Sequence, residues 1–363
     1  MLSAPILVSC HKLVQAHVLP LVPKGWREQV RFGLSALAFR PLVSLNSNAR
    51  TVGGKRNTAE VKMTRLLHNN GLPEALGKMA VSLGFVAPTS FVNVDHSDVN
   101  GLVALVCAVQ TKTGRALPVF VATAYSGKLS ARDDAPKRTK AMRAAYNEQK
   151  RKRKLSEQTI CDLQAFHDLL GFWPRLVFDR GFGNGKLIRF LRRNKVNFYI
   201  RMRAGSLAEL SGGEKALRDM ATGDEIVTIA RCKLRVVRSQ KQGRNKEPWY
   251  ILTPDTKRTP RQVIKTYYHR FEIEESFRDI KSILGLRRTK LMKPLSLAIL
   301  FWLVSLGILL LYLAGLKTYG KKALHQMASV GLAKKRLSWF RYLYEMVEQA
   351  LRQPLYEIIT GGI

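Results

Sequence analysis

The period of the hydrophobic positions changes several times along the chain. Up to about residue 88, leucine-rich stretches alternate with basic ones, as in 27–42 and 60–83, and this spacing predicts helices. A polar stretch at 46–57, containing Gly53-Gly54-Lys55-Arg56, predicts a loop between them. Near Pro88 the pattern shifts to short valine-rich runs at 90–95, 101–110 and 116–124. These predict three consecutive antiparallel strands, the first ending at Asp95, with 111–115 as a hairpin turn. The basic segment 134–157 reads as a linker or an exposed helix, and 163–170 as a helix. A strand at 174–178 ends at Asp179, a basic amphipathic helix follows at 186–193, and another strand lies at 196–201. Strand, helix and strand at these lengths predict a parallel βαβ unit. Residues 225–253 alternate β-rich and polar positions around a turn at 243–245 and read as a β-rich insertion. From Thr259 the helical signal returns and persists. Within it, 295–316 is free of charge and long enough to span a bilayer. With no second span and so basic a chain, it reads as a buried helix of an α/β core.

Composition narrows the function. Of 363 residues, 46% are hydrophobic, so the chain folds and can build two or three domains. Lys and Arg number 61 against 26 Asp and Glu, a net charge of +35 that favours a polyanionic partner. Nucleic acid is the first candidate and an anionic membrane surface the second; charge alone does not choose. The four cysteines form no C-x-x-C pair, which fits a reducing cytoplasm, and the seven histidines are too scattered for a structural zinc site. Leu7-Val8-Ser9-Cys10 imitates a lipoprotein cleavage box, but lacks the basic segment and the longer apolar run that a signal peptide places before it.

The candidate chemistry gathers after Thr259. Thr259-Pro260-Arg261-Gln262 is a helix start: Thr caps, Pro suits the first position, and Gln completes a capping box. With Gly285 as a stop, one helix is predicted over 260–284. At about 100° per residue, Arg270, Glu274 and Lys281 fall at about −60°, −20° and −40° from Tyr267, in a stripe about 21 Å long. A carboxylate among cations can bind a metal ion, and the cations can hold phosphates beside it. On geometry alone a solvated face with an Arg270–Glu274 salt bridge remains equally open.

The spacing Tyr-(two)-Arg-(three)-Glu-(six)-Lys, complete from Tyr267 through Arg270 and Glu274 to Lys281, resembles the Y-R-E-K signature of the DDE transposases of insertion-sequence family four. Phe178-Asp179-Arg180-Gly181-Phe182 looks like that family's second acidic motif, and Val94-Asp95 with Ser97-Asp98 resembles the first. Asp95 is preferred over Asp98 because it ends the apolar run. The resemblance implies an α/β fold: a ribonuclease-H-like catalytic core interrupted by a β-rich insertion, with a helical N-terminal domain. The expected divisions are a helical N-terminal DNA-binding domain at 1–88, the core at 89–205 and 259–316, the insertion at 206–258 and a helical C-terminal segment at 317–363. It also implies catalysis by Asp95, Asp179 and Glu274 holding two Mg²⁺ (or Mn²⁺) ions. Cutting would leave a 3′-hydroxyl that forms and reopens a hairpin and then attacks target DNA. Tyr267, Arg270 and Lys281 would hold the DNA end, and Arg180, with Arg201 and Arg203, would touch phosphate or pair with local acids. Trp249 either stacks on an extruded base or packs in a strand, and the basic run 150–154 either contacts DNA backbone or is a solvated helix. The expected partners are double-stranded transposon ends and target, and a second copy in a synaptic homodimer. No membrane is expected, and the location would be the cytoplasm at the nucleoid. A ribonuclease-H-type nuclease without strand transfer, an inactive DNA-binding derivative and a basic membrane protein are the competing readings.

Overall fold

The computed structural model describes residues 3–39, 56–111, 113–128, 134, 136–210, 213–220, 222–239, 247–282, 285–286, 289, 291–327, 341 and 343–345. Of the loop expected at 46–57, residues 46–55 lie outside them while Arg56 and Asn57 already belong to a helix, and the turn at 243–245 and most of the C-terminal segment beyond 327 lie outside them too.

Among the described residues ten strands form one sheet in the order β3-β2-β1-β4-β5-β10-β9-β8-β6-β7. β1 (Phe91–Val99), β2 (Leu102–Gln110) and β3 (Ala116–Tyr125) are an antiparallel meander. β4 (Arg175–Phe178) and β5 (Phe198–Met202) lie parallel to β1 and are connected to each other through a helix at Gly185–Arg193. The first strand does not end at Asp95. It continues to Val99, because Asn100 (φ 50°) and Gly101 (φ 84°) make a two-residue hairpin turn that keeps β1 paired to β2 along its length. β10 (Tyr250–Thr253) pairs antiparallel with β5 and with β9 (Cys232–Arg238). Through it β8 (Asp224–Ile229), β6 (Leu207–Leu210) and β7 (Gly213–Ala216) extend the same sheet. The 3-2-1-4-5 order with three parallel strands is a mixed α/β arrangement consistent with a ribonuclease-H-like fold.

Helices occupy both faces of the sheet. Among the described residues four α-helices precede it: α1 (Ser3–Leu13), α2 (Arg27–Phe39), α3 (Arg56–Leu67) and α4 (Leu72–Ser82). The segment expected to be a linker or exposed helix is α5 (Lys137–Lys152), and α6 (Leu155–Leu170) follows, starting earlier than the apolar pattern suggested. α7 (Gly185–Arg193) buries Leu187, Ile188 and Leu191 and shows Arg192 and Arg193 to solvent. α8 (Pro260–Tyr268) and α9 (Phe271–Ser282) stand where a single helix was expected. α10 (Pro294–Met327) leaves helical geometry at Gly320 (φ 74°).

α10 is the centre of the helical layer. Its apolar window has a mean hydropathy of 2.6 and is 83% buried inside the protein. It touches β2 and β3 as well as α1, α2, α3 and α4, and a helix enclosed from several directions needs no polar face. The approach is close: a Cβ at Gly33 of α2 would stand 2.6 Å from a methyl of Leu66 and 3.2 Å from one of Leu303. The burial is that of a core helix, as the run at 295–316 suggested.

Strand alternation sorts the sheet's side chains into two cores. Val92, Val94, Leu176, Phe178, Phe198 and Ile200 join the main cluster with α6, α7 and α10. Val177, Tyr199, Val237 and Ile251 form a smaller one with Trp249 and with Val263 and Tyr267 of α8. Asn93, Asp95 and Asp179 share the parity of that second face, so period-two alternation aims them at α8 and α9.

Candidate active site

β1 and β4 pair up to Val94 opposite Phe178, and the next residue on each strand is an aspartate. Asp95 and Asp179 therefore emerge side by side where the parallel pairing stops. The backbone N–H of His96 donates to Asp95 Oδ1 at 2.8 Å and fixes that carboxylate. Behind it the His96 ring stacks on Phe182 at 4.7 Å, supporting the turn that follows Asp179.

α8 is pinned before it starts. Tyr199 donates its hydroxyl to Asp255, whose other oxygen accepts the N–H groups of Lys257 (2.9 Å) and Arg258 (3.2 Å). Thr259 and Gln262 then form the expected capping box. One residue from its end, Tyr267 is fully buried and donates to Asp179 Oδ1 at 3.3 Å.

The single helix expected over 260–284 breaks at His269 and Arg270. The break has no Gly or Pro; the chain tightens instead into three-residue turns, with Arg270 N–H on Tyr267 O (2.9 Å) and Ile273 N–H on Arg270 O (3.1 Å). The sheet receives the released carbonyls. Asn93 donates to His269 O (3.2 Å) and Arg270 O (3.5 Å), and Gln110 donates to Thr266 O (3.2 Å). Gln110 also donates to Asn93 Oδ1 at 2.7 Å, so the fully buried Asn93 amide is satisfied at both ends. The uniform 100° spacing consequently fails between Tyr267 and the later residues.

Its consequence is the position of Arg270. The guanidinium reaches Asp95 at 3.2 Å and Asp179 at 4.0 Å, and donates to Glu274 in a short contact. Its side chain is 4% exposed, against 19%, 33% and 47% for the three acids. Burial pushes the Asp95 carboxyl up to about 6, with the Arg270 charge and the His96 N–H opposing. For Arg270 burial works against the charge, yet the surrounding Tyr267, Asp179, Asp95 and Glu274 leave its pKa raised. The Tyr267 hydroxyl is also raised by burial and stays protonated.

The structure thus brings together Asp95, Asp179, Glu274, Tyr267 and Arg270. Lys281 lies two turns beyond Glu274, with its ammonium 5.8 Å from the Phe277 ring and its charge felt by Asp98. Arg180 is exposed directly after Asp179. Trp249 is 5% exposed, packed edge-on to Tyr267 (5.3 Å) and beside Phe271 (5.8 Å), with Arg201 over its ring at 5.7 Å. Asp98 has the opposite strand parity from Asp95. It accepts from Ser126 (2.9 Å) and Lys128 (2.5 Å), and although burial works against its charge these bonds lower its pKa. Sequence reasoning overlooked Asn93 and Gln110; their only signal was polarity inside apolar strands.

Residues 138–311 match the family model of the transposase DDE domain. The matched segment holds Asp179, Tyr267, Arg270, Glu274 and Lys281, while Asp95 precedes it. No curated protein matches the chain. The matched domain, with two of the three clustered acids inside it, supports a DDE transposase.

Proposed function

We propose that the protein is a cut-and-paste transposase of the Y-R-E-K signature group, cleaving element ends and joining them to target DNA. One observation carries this reading: Asp95 in β1, Asp179 just after β4 and Glu274 in α9 surround a single cationic group. Carboxylate oxygens are the ligands Mg²⁺ and Mn²⁺ prefer. Among the described residues no ready group of three metal-ligating side chains is assembled. The guanidinium of Arg270 stands among the acids as a cation, and the donor set fits a divalent ion in its place. Two such ions, held by Asp95, Asp179 and Glu274, would activate the attacking oxygen and stabilise the leaving one.

The chain's own groups do the rest. Arg270 can clamp a phosphate with its planar fork, and Lys281 offers a point charge further along α9. Tyr267, protonated and anchored on Asp179, orients that carboxylate and can pass its hydrogen bond to phosphate. Trp249 packs edge-on against the Tyr267 ring, so its influence on DNA would run through that contact. Arg180 and the exposed basic residues 150–154 at the end of α5 would track the backbone outside the site. The helical segment 1–88 would read terminal repeats, and a homodimer would hold two ends at the nucleoid.

The test uses a duplex ending in the inverted repeats that flank the reading frame, a target plasmid and Mg²⁺. The expected products are a free 3′-hydroxyl at the end and a covalent end–target joint. Cleavage without joining would leave a nuclease; neither product would remove the enzymatic reading.

A further inference from the structure

Arg270 stands among the three carboxylates that the proposed function assigns to metal. Its two terminal nitrogens engage Asp95 and Glu274, and Asp179 lies at 4.0 Å. The rings of Phe271 (5.0 Å) and Tyr267 (5.8 Å) flank its guanidinium. The third nitrogen, Nε, is buried and has no hydrogen-bond partner. A guanidinium closed off from water with one donor unmatched is poorly satisfied where it sits. The partner that matches the Nε–Nη edge of arginine is a pair of oxygens on one centre, as in phosphate. The carboxylates cannot provide that pair while they are shared three ways.

We propose that Arg270 is a latch: it neutralises the three carboxylates in the free protein, and a phosphate of the DNA end draws it away and opens the acids to divalent metal. The inference rests on the metal-site reading above and adds its regulation. Guanidinium and metal ion compete for the same oxygens, so either excludes the other by charge repulsion and by occupancy. A DNA phosphate beside Arg270 removes the competitor and lets it satisfy Nε. Metal affinity and DNA-end affinity are then linked, and each raises the other by the same factor. The free protein keeps its carboxylates blocked, so cutting is confined to DNA that is already seated.

Mn²⁺ binding to the full chain, read from the loss of free-ion electron paramagnetic resonance signal, tests this without any turnover. Wild type should bind Mn²⁺ at least about tenfold more tightly in the presence of an end duplex carrying a non-cleavable linkage. R270Q should bind as tightly without DNA as wild type does with it, and should gain nothing from the duplex. Equal wild-type affinity with and without DNA overturns the latch, whatever the variant does. So does an R270Q affinity that still rises with DNA. A separate pair, R270Q/D95N and R270Q/E274Q, tests the site itself: undiminished Mn²⁺ binding there would mean the ion sits elsewhere, and the metal-site reading would fail rather than the latch alone.

Discussion

Asn93 shows what a single residue contributes here. Its amide lies fully buried inside β1 and takes up the carbonyls freed where the helix breaks. Asn93→Ala should leave those carbonyls and Gln110 partly unpaired in the interior, at a cost of about 1–3 kcal/mol. A lowered melting temperature together with reduced cleavage is the expected outcome, and an unchanged melting temperature would show that the break is held by other means. Such a residue is hard to find in a sequence. A polar position within an apolar run looks like ordinary strand alternation, whereas Tyr267, Arg270 and Glu274 announce themselves by spacing. Trp249 was undecidable for a different reason: stacking on a base and packing on a neighbour use the same ring face. Its 5% exposure and its contact with Tyr267 are packing.

At the level of elements, turns decide where the acids point. Asn100-Gly101 suits a two-residue hairpin, and it carries β1 past Asp95 to Val99. The signal was in the sequence, but the polar run Asp95-His96-Ser97-Asp98 interrupts the hydrophobic pattern and made the strand look finished. The β8–β9 hairpin turns with the opposite chemistry. Ala230 (φ 53°) and Arg231 (φ 64°) both adopt the left-handed region without being Asn or Gly. Each such residue costs on the order of 1 kcal/mol. The double substitution Ala230→Asn with Arg231→Gly should therefore raise the melting temperature, by about 1 kcal/mol of stability. A fall would mean that Arg231 makes contacts worth more than the strain. The helix break was illegible for want of Gly or Pro at 269–270; its cause lies in β1 and β2, far away in sequence.

For the whole molecule, the large-scale expectations depended on counting what surrounds each element. The apolar run at 295–316 could be a membrane span by composition, but both the sheet and the described helices α1 to α4 close around α10. Residues 1–88 were expected as a domain of their own; their described helices share a core with α10. Strands after residue 206, expected as an insertion, continue the same sheet by way of β10. Pattern reading supplies the elements, and long-range pairing of this kind leaves no local trace. The net charge of +35 then sits on a fold whose carboxylates converge where the parallel pairing of β1 and β4 stops, inside the sheet. The central claim is that Asp95, not Asp98, joins Asp179 and Glu274 to cut DNA. Cleavage of an end duplex in Mg²⁺ by wild type, Asp95→Asn and Asp98→Asn, with DNA binding measured for each, tests it most directly. The expected result is that Asp95→Asn binds DNA and fails to cut while Asp98→Asn still cuts. Cutting by Asp95→Asn, or loss confined to Asp98→Asn, would contradict it.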